Sequence, residues 1–172
     1  MKHKKEAEIE KNLLIKNIHS AILSTSNKEN INNASYAPIG VDKNNNFYIY
    51  VSELAKHTQN LLENPSLSLM LIEDESNATN IFARKRLTIN GDVSVLEREA
   101  DDWYAGIQIM QLRFRDHMKF LLDMTDFHLI KIVPKDALLV YGFAKAFRFE
   151  GQKLSLVNHM NDKGHTMKNK TK

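Results

Sequence analysis

Histidine, arginine and acidic side chains are the residues of this sequence that could do chemistry. No two histidines have the spacing at which one helical face offers a metal two imidazoles, which disfavours a multi-histidine zinc site. The spacing also reveals no nucleophile–base pair and no paired-carboxylate motif. The seven histidines are His3, His19, His57, His117, His128, His159 and His165.

Three cations stand together in the segment ARKRLT, Ala83–Thr88. At the start of a predicted strand, Arg84 and Arg86 would point to one face and Lys85 to the other. One interpretation is a solvated basic edge, which is the commoner case for such a run. The other is a clamp for phosphate or carboxylate groups, because the arginine fork matches both in geometry.

Other polar residues have a structural interpretation when each is taken alone. His57 lies on the inward face of a predicted helix, where a partly buried histidine is commoner than a ligand. Asp126 precedes a predicted strand and is typical of a turn, and the acids of MLIEDES, Met70–Ser76, are typical of a solvated strand end. His165 follows Gly164 in a lysine-rich segment that we expect to be mobile.

Short predicted strands make up most of the chain between these residues. Apolar or alternating runs are separated by Asn, Gly, Asp and Ser clusters, which is the pattern of antiparallel β-structure. In VDKNNNFYIYV, Asn44–Asn46 can adopt the left-handed conformations of a tight hairpin turn. The predicted strands are Ala21–Ser26, Ser35–Val41, Phe47–Val51, Leu67–Ile72, Leu87–Leu96, Phe127–Val133, Leu138–Tyr141 and Ala144–Phe149.

Two predicted helices interrupt the strands. Ser52–Asn64 begins with a serine cap and ends before Pro65. Arg98–Asp123 is longer and carries one apolar stripe, from Trp103 to Leu121, at intervals of three or four residues. This order of elements predicts an α+β, mainly β, barrel-like domain rather than a doubly wound sheet. The sequence has no glycine-rich phosphate loop.

Composition limits the class of protein. The chain has 172 residues, 42% of them hydrophobic and 26% charged, which suits one domain with a core of its own. The net charge of +3 arises partly at the ends, because Met1–Lys5 holds three lysines and Lys163–Lys172 four without an acid. We therefore expect no nucleic-acid partner. Without cysteine, a signal-peptide pattern or a long apolar run, we expect a cytoplasmic protein with no membrane insertion.

Five short motifs follow one another along the chain. They are SYAP (Ser35–Pro38), HTQNLLENP (His57–Pro65), IEDE (Ile72–Glu75), FARKRLT (Phe82–Thr88) and GFAKAF (Gly142–Phe147). Together they resemble the HugZ/HutZ-type haem-degrading proteins, which belong to the pyridoxamine 5′-phosphate oxidase-like split-barrel superfamily. The resemblance extends from Ala21 to Lys168, and several linked motifs are far more specific than any one of them.

The resemblance implies a split β-barrel with peripheral helices and a C-terminal tail, assembled as a homodimer. It implies an N-terminal helical segment at residues 1–20, a barrel domain at 21–150 and a tail at 151–172.

The resemblance also implies a set of site residues. The tail motif KGHTMK makes His165 the axial ligand of haem iron. The aspartate of TDF, Asp126, would hydrogen-bond that imidazole across the dimer, which fixes its tautomer and strengthens electron donation. Arg86 would reach into the haem pocket, where a cation can hold a distal water. Weaker candidates for the pocket wall or the haem propionates are His57, Arg84 and Lys85.

The implied reaction is an oxygen-dependent opening of the porphyrin ring, with electrons delivered by an external donor. Haem is then both substrate and cofactor, so the protein needs to ligate and orient it rather than to supply a catalytic triad. The implied products are a biliverdin-like tetrapyrrole, carbon monoxide and iron, which would serve iron utilisation.

The sequence is also compatible with two other functions. An FMN-binding split-barrel oxidoreductase would use the ARKR cations, Arg84–Arg86, on the flavin phosphate. A haem carrier or storage protein would bind haem without oxygenase activity.

Overall fold

The computed structural model describes residues 2–160, with the backbone alone described at residues 2 and 156–159. Its helices are α1 (Lys2–Asn17), α2 (Lys56–Glu63), α3 (Asp101–Phe114) and α4 (His117–Leu122). Its strands are β1 (Ser20–Ser26), β2 (Asn32–Pro38), β3 (Gly40–Val41), β4 (Phe47–Ser52), β5 (Ser66–Ile72), β6 (Arg86–Leu96), β7 (Phe127–Val140), β8 (Ala146–Glu150) and β9 (Ser155–His159). Single 3₁₀ turns occupy Glu75–Asn77 and Ile81–Ala83.

Within the described residues, the nine strands form one antiparallel sheet in the order β2-β1-β5-β6-β7-β4-β3, extended by β8 and β9. The first half of β7 pairs with β4 and its second half pairs with β8. The register between β6 and β7 shifts at Asn90 and Gly91, opposite Pro134, and this bulge bends the long strands. The sheet therefore curls into a half-barrel, and the predicted α+β, mainly β, fold is confirmed.

Strand β4 separates two hydrophobic clusters because both of its faces are covered. Phe47 and Ile49 belong to the main core, inside the curled sheet. Tyr48 and Tyr50 point the other way and pack with Trp103 and neighbours beneath α3. The uninterrupted apolar run FYIYV thus marks a strand buried on both sides.

The hairpin predicted around Asn44–Asn46 is present. Strand β3 pairs with β4, and Asn45 takes φ +63°, in the left-handed region that asparagine tolerates. Asp42 closes the turn by accepting bonds from the backbone amides of Asn44 and Asn46, each at 2.8 Å. Local turn chemistry was therefore sufficient to predict this element.

The helix predicted at Ser52–Asn64 begins later than expected. Ser52 is the last residue of β4, the N-cap is Ala55, and the helix starts at Lys56. Leu54 has the three-residue spacing from His57 that predicts a shared inward face, but it is 86% exposed. The reason is that Ser52 pairs with Phe127 in the sheet, so strand pairing overrides its capping propensity.

The helix predicted at Arg98–Asp123 is two helices. Arg115 takes φ +48° between α3 and α4, and its N–H bonds the carbonyl of Gln111 at the end of α3. The break re-aims the chain so that Met118 of α4 is buried in the same cluster as Met110 of α3. The predicted apolar stripe is present, but its residues are divided between the two helices α3 and α4.

Two further sequence predictions need correction. Phe127–Val133 and Leu138–Tyr141 were predicted as separate strands, but they form the single strand β7, because the bulge accommodates Pro134 within it. The segment after residue 150 was predicted to contain no strand, whereas Ser155–His159 forms β9 on β8.

Candidate functional site

Asp126 lies where the end of β4 meets the start of β7. The pairing of Ser52 with Phe127 brings the two strand ends together. The Ser52 hydroxyl donates a 2.9 Å hydrogen bond to Asp126 Oδ2, and the Asp126 carbonyl accepts the Glu53 N–H at 2.9 Å. Asp126 is thus a fixed, half-buried carboxylate with one oxygen still available to another donor.

A histidine–glutamate pair borders this carboxylate. His128 Nε2 lies 2.6 Å from Glu53 Oε1, on the strand ends that also hold Ser52 and Asp126. A groove of about 370 Å³ next to it is lined by His128, Thr125 and residues of β6 and α3. The end of the sheet at Asp126 is therefore polar and accessible.

Arg98 holds the loop that precedes Asp126, a role that sequence reasoning missed. Its Nη2 donates to the Met124 carbonyl at 2.7 Å and to the Tyr50 hydroxyl at 3.0 Å. Its guanidinium also lies 5.5 Å from the centre of the Trp103 ring. Burial raises the pKa of Tyr50, although the nearby Arg98 charge opposes that rise. Nothing in the local sequence indicates the hydrogen bonds to Met124 and Tyr50, because these partners are 26 and 48 residues away.

Arg84 and Lys85 are engaged within the chain. Arg84 donates to the Glu75 carboxylate at 2.8 Å and to the Glu73 carbonyl. Lys85 Nζ lies 2.9 Å from Glu10 of α1, and its N–H bonds Glu73 Oε1 at 2.7 Å. The acids predicted to be a solvated strand end are therefore partners of this segment. Arg84, Lys85 and Arg86 were predicted to alternate between the two faces of a strand. That prediction is wrong, because β6 begins only at Arg86.

Arg86 differs from its two neighbours. It is the first residue of β6 and is half-buried. Its Nη1 donates a 3.0 Å hydrogen bond to the Arg84 carbonyl. Within residues 2–160 it has no carboxylate partner. In the sheet it lies between Ile72 of β5 and Val140 of β7. Arg86 is thus a cation with free donors and apolar neighbours.

An apolar surface extends across the outer side of the sheet beside Arg86. Strand register aligns one row across five strands: Tyr36, Ile22, Met70, Thr88 and Leu138. Tyr36 is 63% exposed, Ile22 42% and Leu138 39%. Exposed apolar side chains grouped in this way are typical of a ligand or subunit contact. We call it the outer apolar face, and its residues are Ile22, Tyr36, Met70, Ile72, Leu138 and Val140.

His57 lies near the start of α2 and is half-buried. Its Nε2 is buried and has no hydrogen-bond partner within the described part of the chain. Burial lowers the pKa of His57, since the charged imidazolium loses hydration there. The side chain is therefore a neutral imidazole with one nitrogen available.

One chain does not bring all the predicted site residues together. Arg86 pairs with Val140, the last residue of β7, whereas Asp126 precedes the first. At ~3.3 Å per residue, a strand of this length separates them by up to roughly 40 Å. His165 and Gly164 lie outside the described residues.

Metal-ligand clusters and membrane-spanning helices are both absent from the described residues. Among the side chains that the structure describes, which do not include His159 or His165, no group of three His, Asp or Glu comes close enough to hold a metal ion. None of the helices in that range combines the length and apolar character that a bilayer crossing requires.

Comparison with known proteins identifies the family of this chain. Residues 7–141 match the model of the pyridoxamine 5′-phosphate oxidase family. The chain belongs to that family. It is also 36% identical over 143 residues to the haem oxygenase HutZ of Vibrio cholerae, across 83% of this chain and 80% of HutZ. A shorter match, 38% over 103 residues, is to the chloroplastic non-canonical haem oxygenase HOZ of Arabidopsis thaliana, across 59% of this chain and 29% of HOZ.

Solved structures of the family agree with the fold. The crystal structure of HutZ from Vibrio cholerae, described as a haem storage protein, superposes with a TM-score of 0.74 at 30% identity, covering 86% of this chain and 98% of HutZ. Campylobacter jejuni ChuZ superposes with a TM-score of 0.79 at 31% identity, covering 95% of this chain and 66% of ChuZ. The split-barrel fold and the HugZ/HutZ-type resemblance predicted from sequence are confirmed.

Proposed function

We propose that this family member binds haem and opens its ring in an oxygen-dependent reaction that yields a biliverdin-like product, carbon monoxide and iron. The observation that carries the proposal is Arg86, a half-buried cation without a carboxylate partner in residues 2–160, set beside the outer apolar face. A broad apolar surface with one free cation suits a flat, apolar macrocycle that carries polar groups. Similarity to HutZ and HOZ, both haem oxygenases, supports the same reaction.

Each proposed site residue has a task that follows from its chemistry. Haem supplies the ring that is opened and the iron that activates oxygen. The imidazole of His165 would ligate the iron, and Asp126, oriented by Ser52, would accept the N–H of that imidazole. Arg86 would hold a polar group or water over the haem. His57, neutral through burial, would line the pocket.

A homodimer is part of the proposal. Arg86 and Asp126 can act on one haem only if two chains contribute to each site, since one chain holds them at opposite ends of β7. The outer apolar face is a surface that a second copy would cover. We also propose that the chain divides into a helical segment at 1–20, the barrel domain at 21–150 and a C-terminal segment at 151–172, which begins with β9 on the barrel sheet and carries His165.

FMN is the alternative cofactor, and the paired cations make it the weaker candidate. A flavin phosphate at Arg84 and Lys85 would have to displace Glu75 and Glu10 from their ion pairs. Haem storage is the alternative function, because HutZ has also been described as a haem storage protein. The cytoplasmic location and the external electron donor stay predictions.

Titration of the purified protein with haem and, separately, with FMN tests the proposal. We expect a Soret band that saturates at one haem per chain, weakened in R86Q and unchanged in K43Q, an exposed-lysine control. Saturable FMN binding without a haem-dependent Soret band would instead establish the flavin alternative. A His165→Ala variant with the wild-type haem spectrum would remove the tail ligand from the proposal.

A further inference from the structure

A second concave surface lies where the C-terminal ends of α1 and α3 meet. It is a groove of about 400 Å³. Four basic residues line it, and its lining contains no aspartate or glutamate. We call it the cationic groove, and the residues that matter for its chemistry are Lys16, His19, Ile109, Leu112, Arg113 and Arg115.

Arg113 fixes one positive charge in the wall of this groove. Its two terminal nitrogens donate to the carbonyls of Ile15 at 3.1 Å, Lys16 at 3.0 Å and Ile39 at 3.1 Å. These acceptors are neutral, so they orient the guanidinium without cancelling its charge. The contacts also join α1, α3 and the strands, which makes the groove a rigid part of the fold.

Lys16 and Arg115 add two charges that have no acidic partner in the described part of the chain. Both are exposed, and neither side chain has a hydrogen bond or ion pair within residues 2–160. Of the acids next in the chain, Asp116 pairs with Lys119 at 2.7 Å, and the Asp42 carboxylate accepts hydrogen bonds from its own turn and from the Tyr48 hydroxyl rather than from the cations of the groove. The groove is thus a local concentration of positive charge on a chain whose net charge is +3.

An apolar side chain stands among these cations. Leu112 is 76% exposed although its helix buries the opposite face, and Ile109 lies beside it in the groove. A small apolar contact surrounded by flexible cations is suited to weak protein complexes, in which charge complementarity sets the rate and orientation of docking.

We propose that the cationic groove docks an acidic, one-electron carrier protein that supplies the electrons for haem opening, an inference that rests on the proposed function. Each transfer would oxidise the donor by one electron, and the first would reduce ferric haem iron to ferrous. His19 also lines a neighbouring groove that contains Ile72 and Arg84 together with the acids Glu73, Asp74 and Glu75. Ile72 is the strand partner of Arg86, so the docking surface adjoins the proposed haem surface.

Steady-state oxidation of bound haem in air, driven by two different donors, tests the proposal. The probe is reduced flavodoxin, an acidic one-electron carrier, regenerated by its reductase and NADPH. Ascorbate, which needs no docking surface, is the second donor. The test variant is K16E/R115E. The matched control is K28E/K43E, which makes the same change in net charge at two exposed lysines outside the groove.

We expect the flavodoxin-driven rate of K16E/R115E to fall about tenfold or more, while the control keeps a rate within about twofold of wild type. Ascorbate-driven rates should be equal in all three proteins. Equal flavodoxin-driven rates for the groove variant and the control would overturn the proposal, as would a wild-type protein that reacts with ascorbate but not with flavodoxin. If wild-type protein also fails with ascorbate, the proposed function itself fails.

Discussion

Arg86 and Asp126 lie at opposite ends of strand β7. Arg86 pairs with Val140, the last residue of that strand, and Asp126 directly precedes its first residue. Each is held in place, Arg86 by the Arg84 carbonyl and Asp126 by the Ser52 hydroxyl. The proposed roles of both residues on one haem are therefore tied to the proposed homodimer, in which each chain would supply one of them.

Complementation between two inactive variants tests this shared site. R86Q and D126N should each lower the ascorbate-driven rate of haem loss about tenfold or more, since each removes a polar group proposed to act on haem or its ligand. In a heterodimer with one chain of each kind, one of the two sites regains both residues. We expect about half of the wild-type activity from such dimers, purified with two different tags.

The matched control is a dimer that carries both substitutions on one chain and none on the other. Each of its sites lacks one group, so its activity should be close to that of the single variants. If the complementing heterodimer is no more active than this control, Arg86 and Asp126 do not meet across two chains.

Gly106 of α3 allows the helix to approach the sheet closely. A Cβ at this position would lie 2.8 Å from a methyl of Leu129 and 3.0 Å from the Tyr48 ring. We expect G106A to lower the free energy of unfolding by about 1–3 kcal/mol despite the better helix propensity of alanine. Urea denaturation measures this, and G142A, where the Cβ meets only the flexible Lys145 side chain, should be nearly neutral.

The buried imidazole of His57 makes stability depend on pH in a defined direction. Burial lowers its pKa in the folded chain below the unfolded value of about 6.5, so at acidic pH the unfolded chain binds the extra proton. The contribution of the neutral imidazole is complete above that value and is lost as pH falls below it. Relative to H57Q, wild-type protein should therefore lose stability between about pH 7.5 and 5.5.

Urea midpoints of both proteins at the two pH values measure this difference. H117Q, which changes an exposed histidine, should follow the wild-type pH dependence. If the difference in urea midpoint between wild type and H57Q does not change with pH, burial does not lower the pKa of His57.

Lys11 of α1 ties the helix to the start of β9. Its side chain is 6% exposed, and Nζ lies 2.7 Å from Glu8 and 3.0 Å from the Leu154 carbonyl, over the Phe149 ring at 4.7 Å. We expect K11A to cost about 2 kcal/mol in the free energy of unfolding, because the buried Leu154 carbonyl loses its donor. K4A, an exposed lysine of the same helix, should be neutral by the same denaturation assay.

Local patterns were enough for much of the fold. The hairpin at Asn45, the strand β4 and the apolar residues of α3 follow from turn chemistry, apolar runs and helical spacing. The break at Arg115 and the single strand through Pro134 were missed, because each depends on how the chain packs against distant elements. Linked motifs, rather than spacing, indicated the family.

The site was less accessible from sequence, because its decisive contacts are long-range. Lys85 and Glu10 are 75 residues apart, and no local pattern pairs them. Residues of the outer apolar face, such as Ile22 and Leu138, are distant in sequence and are brought into one row only by strand pairing. Arg84 and Arg86 look alike in the sequence, but in the structure Arg84 bonds the Glu75 carboxylate whereas Arg86 bonds the Arg84 carbonyl.

Carbon monoxide release from the haem complex tests the central claim most directly. Haem-loaded wild-type protein would be given ascorbate in air, with catalase present to remove free peroxide, and carbon monoxide would be trapped on deoxymyoglobin. The proposed function predicts loss of the Soret band, a biliverdin-like absorption and about one carbon monoxide per haem. A Soret band that persists, with no carbon monoxide formed, would contradict it and establish a haem-binding protein without oxygenase activity.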